Sequence, residues 1–343
     1  MSARPRLRLG FLTHVTGGDD ATEAYASTLR VFETAEALGY DTGWVAQHHL
    51  SATYGRLPST LPFLAAAAQR TEHIHLGTGL VTLPFEDPLR LAEDAVVVDR
   101  LSGGRLELGV GAGVPAHLEP HVFRAFGRDP ERQRQHAAEV LEALLRALDG
   151  DPVEPDGAVL QPPAGTLRDR VWHSTSSSAG AEAIGRRGLG LLLARRAIGA
   201  GIPTPQAQEP VVDAYVQALP AGTSPRVGVS RAVLPLLGDP DDDREVANIV
   251  RRYVQPYLSS GEFPPGRTTE EYLDLSFIAT GPPAAVASAL ASDPVLPRAT
   301  ELMVQVHENG SLAHTLSLLE TVASDVVPIL QDALDRDEAP VGA

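Results

Sequence analysis

Short runs of apolar, often β-branched residues alternate along the chain with longer stretches in which apolar positions recur every three or four residues. The short runs have the pattern of strands and the longer ones of amphipathic helices. Eight strands are expected, at Arg8–Thr13, Thr42–Ala46, Ile74–Val81, Leu106–Val110, Arg170–His173, Gly190–Ala194, Arg226–Val233 and Glu301–Val306. Strands that alternate with helices make a parallel sheet, and eight of them close it into a (β/α)₈ TIM barrel without an edge. The helices carry their own punctuation. Asp87 precedes Pro88 as an N-cap, Leu91, Ala95, Val98 and Leu101 form one stripe, and Gly103-Gly104 ends it. Leu29, Phe32, Ala35 and Leu38 before Gly39, and Val140, Leu141, Leu144, Leu145 and Leu148 before Gly150, repeat that design. These residues are packing, not chemistry. Residues 151–168 and 238–269 are too irregular or polar for bare connections, and the second stretch, after the seventh strand, is expected to be an insertion over the barrel mouth. The organisation expected is one barrel domain over residues 1–335, with the insertion at about 238–269 and a disordered tail at 336–343.

Composition narrows the function. Across 343 residues, 28 Lys and Arg face 44 Asp and Glu, giving a net charge of -16, which repels phosphate backbones and anionic lipid. A nucleic-acid or membrane partner is therefore not expected. No apolar run approaches the roughly 18 residues of a membrane span, and no apolar segment follows the N-terminal arginines, so a cytoplasmic protein is expected. The chain has no cysteine, which removes disulfides, thiolate metal sites, iron–sulfur clusters and cysteine nucleophiles together. Redox chemistry here needs a borrowed cofactor. Apolar helix faces left on the barrel exterior favour a dimer.

In a barrel of this kind the chemistry lies where strands end and βα loops begin. His48 and His49 follow the second strand, and side-chain alternation aims at most one of them at the pocket centre. Histidine titrates near neutrality and suits acid–base work, although a loop pair bonded to backbone is the plainer alternative. Ser174-Thr175-Ser176-Ser177-Ser178 follows the fifth strand and opens a helix, where hydroxyls and free N–H groups form either a phosphate site or an ordinary N-cap. Gly109-Val110-Gly111-Ala112-Gly113 and Gly77-Thr78-Gly79 leave room for a flat ring or a phosphate to approach the backbone, or for a tight barrel corner. The glycine spacing is not that of a dinucleotide-binding fingerprint. His14, His48, His49, His173 and His307 fall near strand ends, but no His-x-His pair closes the first strand as a zinc hydrolase would need.

Several of these motifs coincide with one family. Trp44-Val45-Ala46-Gln47-His48-His49 resembles the W-x-x-E-H-H run of luciferase-like flavin monooxygenases. Leu76-Gly77-Thr78-Gly79, Leu83-Pro84, Asp87-Pro88, Leu91-Ala92-Glu93-Asp94, Leu101-Ser102-Gly103-Gly104-Arg105 and Leu108-Gly109-Val110-Gly111 resemble its central signature in order and spacing. Phe126-Gly127, Ser176-Ser177 and Gly281-Pro282-Pro283-Ala284-Ala285-Val286 extend the resemblance, which runs from about Leu9 to His307. It implies a luciferase-like barrel that binds reduced FMN, supplied by a separate NAD(P)H-dependent flavin reductase. The reduced flavin would react with dioxygen to a flavin peroxide that oxygenates a small organic substrate. By the same resemblance His48 is the catalytic histidine, with His49 its neighbour. Thr78 and Gly79 mark a non-prolyl cis peptide under the isoalloxazine, Gly111 and Ala112 lie on the cofactor side, and Thr175, Ser176 and Ser177 hold the phosphate.

Three departures stand out. Gln47 replaces a glutamate, Ala112 stands where luciferase has an arginine, and the reactive cysteine of luciferases is missing. Arg195 or Arg196 is the expected substitute cation for the phosphate. Tyr54, Val114 and His117, with Arg56, His121, Tyr253 and Phe263, are the expected substrate liners. A deazaflavin-dependent hydride-transfer enzyme of the same barrel type is the alternative, disfavoured by the acidic net charge because that coenzyme carries a long acidic tail. A non-catalytic partner subunit is the other, and both histidines speak against it. Homodimer and heterodimer are not separated by one sequence.

Overall fold

The computed structural model describes residues 6–17, 20–51, 55–197, 203–238, 242–259, 261–305 and 311–337. Among the described residues there are ten strands: β1 (Arg8–Thr13), β2 (Thr42–Val45), β3 (His75–Thr78), β4 (Val81–Thr82), β5 (Leu106–Gly111), β6 (Val171–Ser174), β7 (Gly190–Leu193), β8 (Val227–Pro235), β9 (Ile278–Gly281) and β10 (Glu301–Gln305). All pairings are parallel, in the order β10-β1-β2-β3-β5-β6-β7-β8, and β10 also pairs with β8, closing the eight-stranded barrel. The helices, in chain order, are α1 (Ala21–Ala37), α2 (Thr60–Ala68), α3 (Pro88–Leu101), α4 (Pro120–Ala125), α5 (Gln133–Leu148), α6 (Ser178–Arg186), α7 (Thr204–Ala218), α8 (Asp242–Ser259), α9 (Thr269–Ser276), α10 (Pro283–Ala291), α11 (Leu312–Thr321) and α12 (Val327–Asp337).

The eight expected strands are the eight barrel strands. Two short strands lie beyond them. The stretch expected at Ile74–Val81 divides at the cis peptide Gly79–Leu80, which separates β3 from β4, and β9 extends β8 outside the barrel ring. Helix α3 starts as the sequence indicates, with the Asp87 carboxylate accepting from the Arg90 N–H and Pro88 at its first turn. Between β8 and β10 the chain builds α8, α9, β9 and α10. Helix α12 continues to Asp337, so Arg336 and Asp337, expected in the disordered tail, are helical; residues 338–343 lie outside the described residues.

Strand alternation separates two cores. Outward-facing residues such as Phe11, Val45, Leu76, Leu108 and Leu191 pack under the helices. Inward-facing Trp44, Trp172, Leu192 and Met303 form a separate cluster with Leu12 against it. The two indoles meet edge to face with centroids 5.8 Å apart, a geometry worth about 0.5–1.5 kcal/mol beyond the area they bury. They fit because the neighbouring strands carry glycine. A Cβ on Gly77 would stand 2.3 Å from the Trp44 ring, and one on Gly190 would stand 2.3 Å from the Trp172 ring.

Below the tryptophans, at the N-terminal ends of the strands, the interior is charged. The Trp44 indole donates to Glu301 Oε1 at 2.6 Å and the Trp172 indole to Glu107 Oε2 at 2.7 Å. Arg8 Nη1 lies 3.4 Å from Glu301 and 3.5 Å from Glu107, and His75 Nδ1 lies 2.9 Å from Glu107. Burial pushes the Glu301 carboxyl up to about 7 despite Arg8, because Glu107 repels a second charge. Burial also opposes ionisation of Glu107, but His75, Arg8 and the Trp172 N–H together hold it below the usual carboxylate range.

Candidate active site

The opposite, C-terminal end of the barrel gathers the polar residues singled out by sequence. Because Leu12 joins the interior cluster, alternation turns His14, just past β1, inward as well. The same parity carries Trp44 through Ala46 to His48. The two imidazoles meet there, with His14 Nδ1 2.9 Å from His48 Nε2 and ring centroids 5.1 Å apart. The loop after β2 returns over His48: its N–H donates to the Leu57 carbonyl at 2.9 Å, and a Cβ on Gly55 would stand 2.1 Å from the ring. Burial, then repulsion from His49, pulls the His48 pKa down to about 4, so the ring is neutral at physiological pH.

His49 has the other parity and leaves the barrel axis. Its ring lies edge-on to Phe85 and Phe126, with centroids 5.3 and 4.8 Å away, and burial lowers its pKa. Its Nε2 is buried without a hydrogen-bond partner. Gln47 does not face the histidines. Its Oε1 accepts the Thr82 N–H at 2.6 Å, and its Nε2 donates to the Pro58 carbonyl and to Glu86 at 3.0 and 3.1 Å. It anchors the loop and holds the half-buried Glu86 carboxyl, whose pKa burial raises.

The floor beside the histidines is made of glycine. A Cβ on Gly79 would meet Leu12 and Trp44, and one on Gly111 would meet Leu80 and Ser174, so both positions face the interior. The cis bond joins Gly79 to Leu80, one residue beyond the Thr78-Gly79 site named by the sequence. Thr78 itself is fully buried, and its hydroxyl donates to the Gly109 carbonyl at 2.7 Å, tying β3 to β5. On adjacent strands of the same interior, Ser230 Oγ and Gln305 Oε1 are buried with no partner. His173, at the end of β6, has the outward parity of Val171; burial lowers its pKa to about 4, and its Nδ1 also lacks a partner.

The serine-rich segment caps α6. The Ser177 hydroxyl accepts from the Gly180 N–H at 3.2 Å, the Thr175 hydroxyl accepts from the Ser177 N–H at 3.3 Å, and Ser176 is exposed beside them. The free N–H groups and the dipole of this helix start favour an anion. Its predecessor Ser174 adjoins Gly111, so cap and floor are neighbours.

The loop after β5 is held by Gln133 of α5, which the sequence reading did not single out. Its side chain donates to the Ala112 and Val114 carbonyls at 2.8 and 2.7 Å and accepts from the Ala116 N–H at 3.0 Å. Val114 and His117 are exposed on this loop, and Tyr54 lies outside the described residues. Arg56 donates to the Thr16 and Gly17 carbonyls.

Four expectations change. Arg195, expected near a phosphate, donates to the Ser276 carbonyl at 2.5 Å and stacks 4.9 Å from the Tyr253 ring. Arg196 pairs with Glu262 at 2.5 Å and lies over Tyr257 and Phe263. Both cations brace the α8–α9 segment through its aromatic rings, the Ser276 carbonyl and Glu262. Tyr253 and Phe263, expected as pocket liners, are buried in that segment's own core with Ile249, Val250 and Tyr272. The reason is the amphipathic face of α8, which has to be covered. Among the described residues no three His, Asp or Glu side chains are grouped as a metal site requires, and no helix is long and apolar enough to cross a membrane.

The sequence profile of the luciferase-like monooxygenases matches residues 7–260. The chain belongs to that family. Over 134 residues it is 41% identical to a 4-hydroxyprotoasukamycin monooxygenase from Streptomyces nodosus subsp. asukaensis, a match covering 39% of this chain and 35% of the relative. The chain thus spans about a third of the length of that curated relative. The oxygenating constituent of 3,6-diketocamphane monooxygenase from Pseudomonas putida, solved with FMN, superposes with a TM-score of 0.69 at 19% identity, covering 95% of this chain and 99% of that one. A coenzyme F420-dependent tetrahydromethanopterin reductase from Methanopyrus kandleri superposes with a TM-score of 0.64 at 17% identity, covering 94% and 99%. At these identities the solved structures show the barrel fold.

Proposed function

We propose that this chain is the oxygenating component of a two-component, FMN-dependent monooxygenase that acts on a small organic substrate. The observation that carries the proposal is a half-buried, neutral His48 at the barrel mouth beside a floor of Gly79 and Gly111. The glycine floor suits a flat ring. The α6 start, with Thr175, Ser176 and Ser177, suits its phosphate, Ala112 lies on the loop between them, and Thr78 fixes the strand beneath. The unpartnered Ser230 and Gln305 atoms are the kind of interior groups that a heteroaromatic ring's polar edge satisfies. When bound, reduced FMN supplies the electrons that activate dioxygen. His48 then holds or delivers a proton at the reacting oxygen, and His49 with Phe85 and Phe126 keeps the neighbouring wall dry. Val114 and His117, exposed on the loop after β5, face the substrate. A separate NAD(P)H-dependent reductase delivers the flavin, in keeping with a structural neighbour that is itself the oxygenating constituent of a larger system. Exposed Leu89, Val97 and Leu101 on α3 favour a homodimer.

The F420-dependent neighbour supports a second reading, hydride transfer with a deazaflavin. The net charge of -16 disfavours its acidic tail, and the sequence relative named above is a monooxygenase. Rapid mixing of the protein, loaded anaerobically with reduced FMN, with oxygen decides between them. Delayed return of oxidised-flavin absorbance, relative to free FMN, supports oxygenation. His48→Ala is expected to fold normally but to release hydrogen peroxide in place of oxygenated product, by a factor of about 10²–10⁴ in coupled turnover. Flavin reoxidation at the free rate, or unchanged coupling in the variant, contradicts the role given to His48.

A further inference from the structure

The enclosed polar atoms of Ser230 and Gln305 point to a substrate group. We infer that these two residues form a subsite for the neutral hydroxyl of an otherwise apolar substrate, an alcohol or a phenol. The substrate role rests on the proposed seating of the flavin on the floor of Gly79 and Gly111.

Both side chains face the barrel interior. A Cβ on Gly228 would meet Leu192, Met303 and Trp172, so Ser230, two residues on, is the next inward position of β8. Gln305 stands in the same relation to Met303 on β10, and the two strands are paired, with Met303 opposite Ser230. Ser230 is 2% exposed and Gln305 3%, and neither Ser230 Oγ nor Gln305 Oε1 has a hydrogen-bond partner. Apolar groups flank them. Below lies the cluster of Trp44, Trp172, Leu192 and Met303, and above, the next inward residue of β8, Ala232, packs with Leu234 and with Ile249 and Val250 of α8.

Position sets the pair apart from the flavin floor. Around the barrel the order is β10-β1-β2-β3-β5-β6-β7-β8, so β8 stands across from β3 and β10 across from β5. Gly79 follows β3 and Gly111 ends β5. A ring lying on those glycines therefore faces Ser230 and Gln305 on the opposite wall. The ring's polar edge and the substrate are the two groups able to answer them, and the wall opposite the floor belongs to the substrate. His48, just past β2, stands between the two walls, so a molecule held by β8 and β10 adjoins the residue that handles the proton.

Chemistry then selects the group. Neither Ser230 nor Gln305 carries a charge, so a carboxylate held there would be desolvated with only dipoles to compensate it. A hydroxyl donates to Gln305 Oε1 and either donates to or accepts from Ser230 Oγ. A carbonyl only accepts, and leaves Oε1 unanswered. The apolar clusters on either side suit a hydrocarbon body.

Phenol, toluene and benzoate share one ring and differ in its substituent, and calorimetric titration of each into wild type, Ser230→Ala and Gln305→Met tests the subsite. Wild type is expected to hold phenol about five- to tenfold more tightly than toluene, and benzoate less tightly than either. Each variant should cut the phenol preference by about threefold or more and spare toluene. Its affinity for reduced FMN should be unchanged and its ligand-free Tm no lower, because the substitution removes an unsatisfied buried atom. The side-chain amide signals of Gln305 in nitrogen-15-labelled protein, identified by their loss in Gln305→Met, should shift with phenol and not with toluene. In wild type alone, no preference for phenol or equal binding of benzoate overturns the inference, whether or not a variant folds. A preference that survives both variants overturns it too. Weakened reduced FMN with phenol unaffected gives the two atoms to the flavin edge and likewise overturns it. If phenol is held as expected while reduced FMN does not bind, the hydroxyl site stands and the oxygenase reading fails.

Discussion

At the N-terminal end of the barrel, Glu107 and Glu301 are fully enclosed, yet each accepts an indole N–H and lies within ion-pair distance of Arg8. At the C-terminal end, Ser230 and Gln305 are enclosed too, and each keeps a buried polar atom with no partner, as does the half-buried His49. Desolvation is costly in both places, so the difference lies in what compensates it. At the lower end Arg8 and the two indole N–H groups offset that cost, although Glu301 Oε2 makes no hydrogen bond of its own, and the network belongs to stability. The upper end keeps polar atoms enclosed without an opposite charge beside them, which suits the binding site proposed for it.

The contrast can be broken from the lower end first. Arg8→Met leaves the Glu107 carboxylate buried without its Arg8 partner, and a loss of about 3–5 kcal/mol is expected in urea unfolding. A loss below about 1 kcal/mol would show that the lower network is incidental. Gly77→Ala drives a methyl into the rigid Trp44 ring and should cost about 1–3 kcal/mol, read as a lowered Tm with no specific change in flavin affinity. Glu301→Gln has the smallest effect, and its sign depends on pH. The folded-state pKa of Glu301 is raised to about 7 from 4.5, so its contribution is intact below about pH 4.5 and is lost as pH rises through 7. The wild type should therefore lose stability across that window relative to Glu301→Gln, and parallel pH profiles would contradict the buried proton.

The barrel was legible in the sequence because strand and helix periods differ, and each of the eight runs keeps one of them. The inward position of His48 follows from parity with Trp44. His14 has the same parity relative to Leu12, but its meeting with His48 depends on the β1–β2 register, and register links residues 34 apart in sequence. The lower network was illegible for the same reason: Trp44 and Glu301 are separated by 257 positions, and nothing local marks them as partners. Tyr253 and Phe263 misled because aromatic residues in a polar segment look exposed until α8 is seen to bury one face. Arg195 and Arg196 misled by position alone. They follow β7 at the C-terminal end of the barrel, but both stack on rings of the α8–α9 segment, which are remote from them in sequence.

Anaerobic titration of reduced FMN into the wild type and into Gly111→Val, alongside coenzyme F420, tests the central claim most directly. The Val side chain would rise from the floor toward Leu80 and Ser174, where flexible neighbours can yield without loss of the fold. Saturable binding of reduced FMN to the wild type is expected, with at least tenfold weaker binding to the variant at unchanged Tm and no comparable binding of F420. Equal FMN affinity in both proteins, or F420 binding in place of FMN, would contradict it.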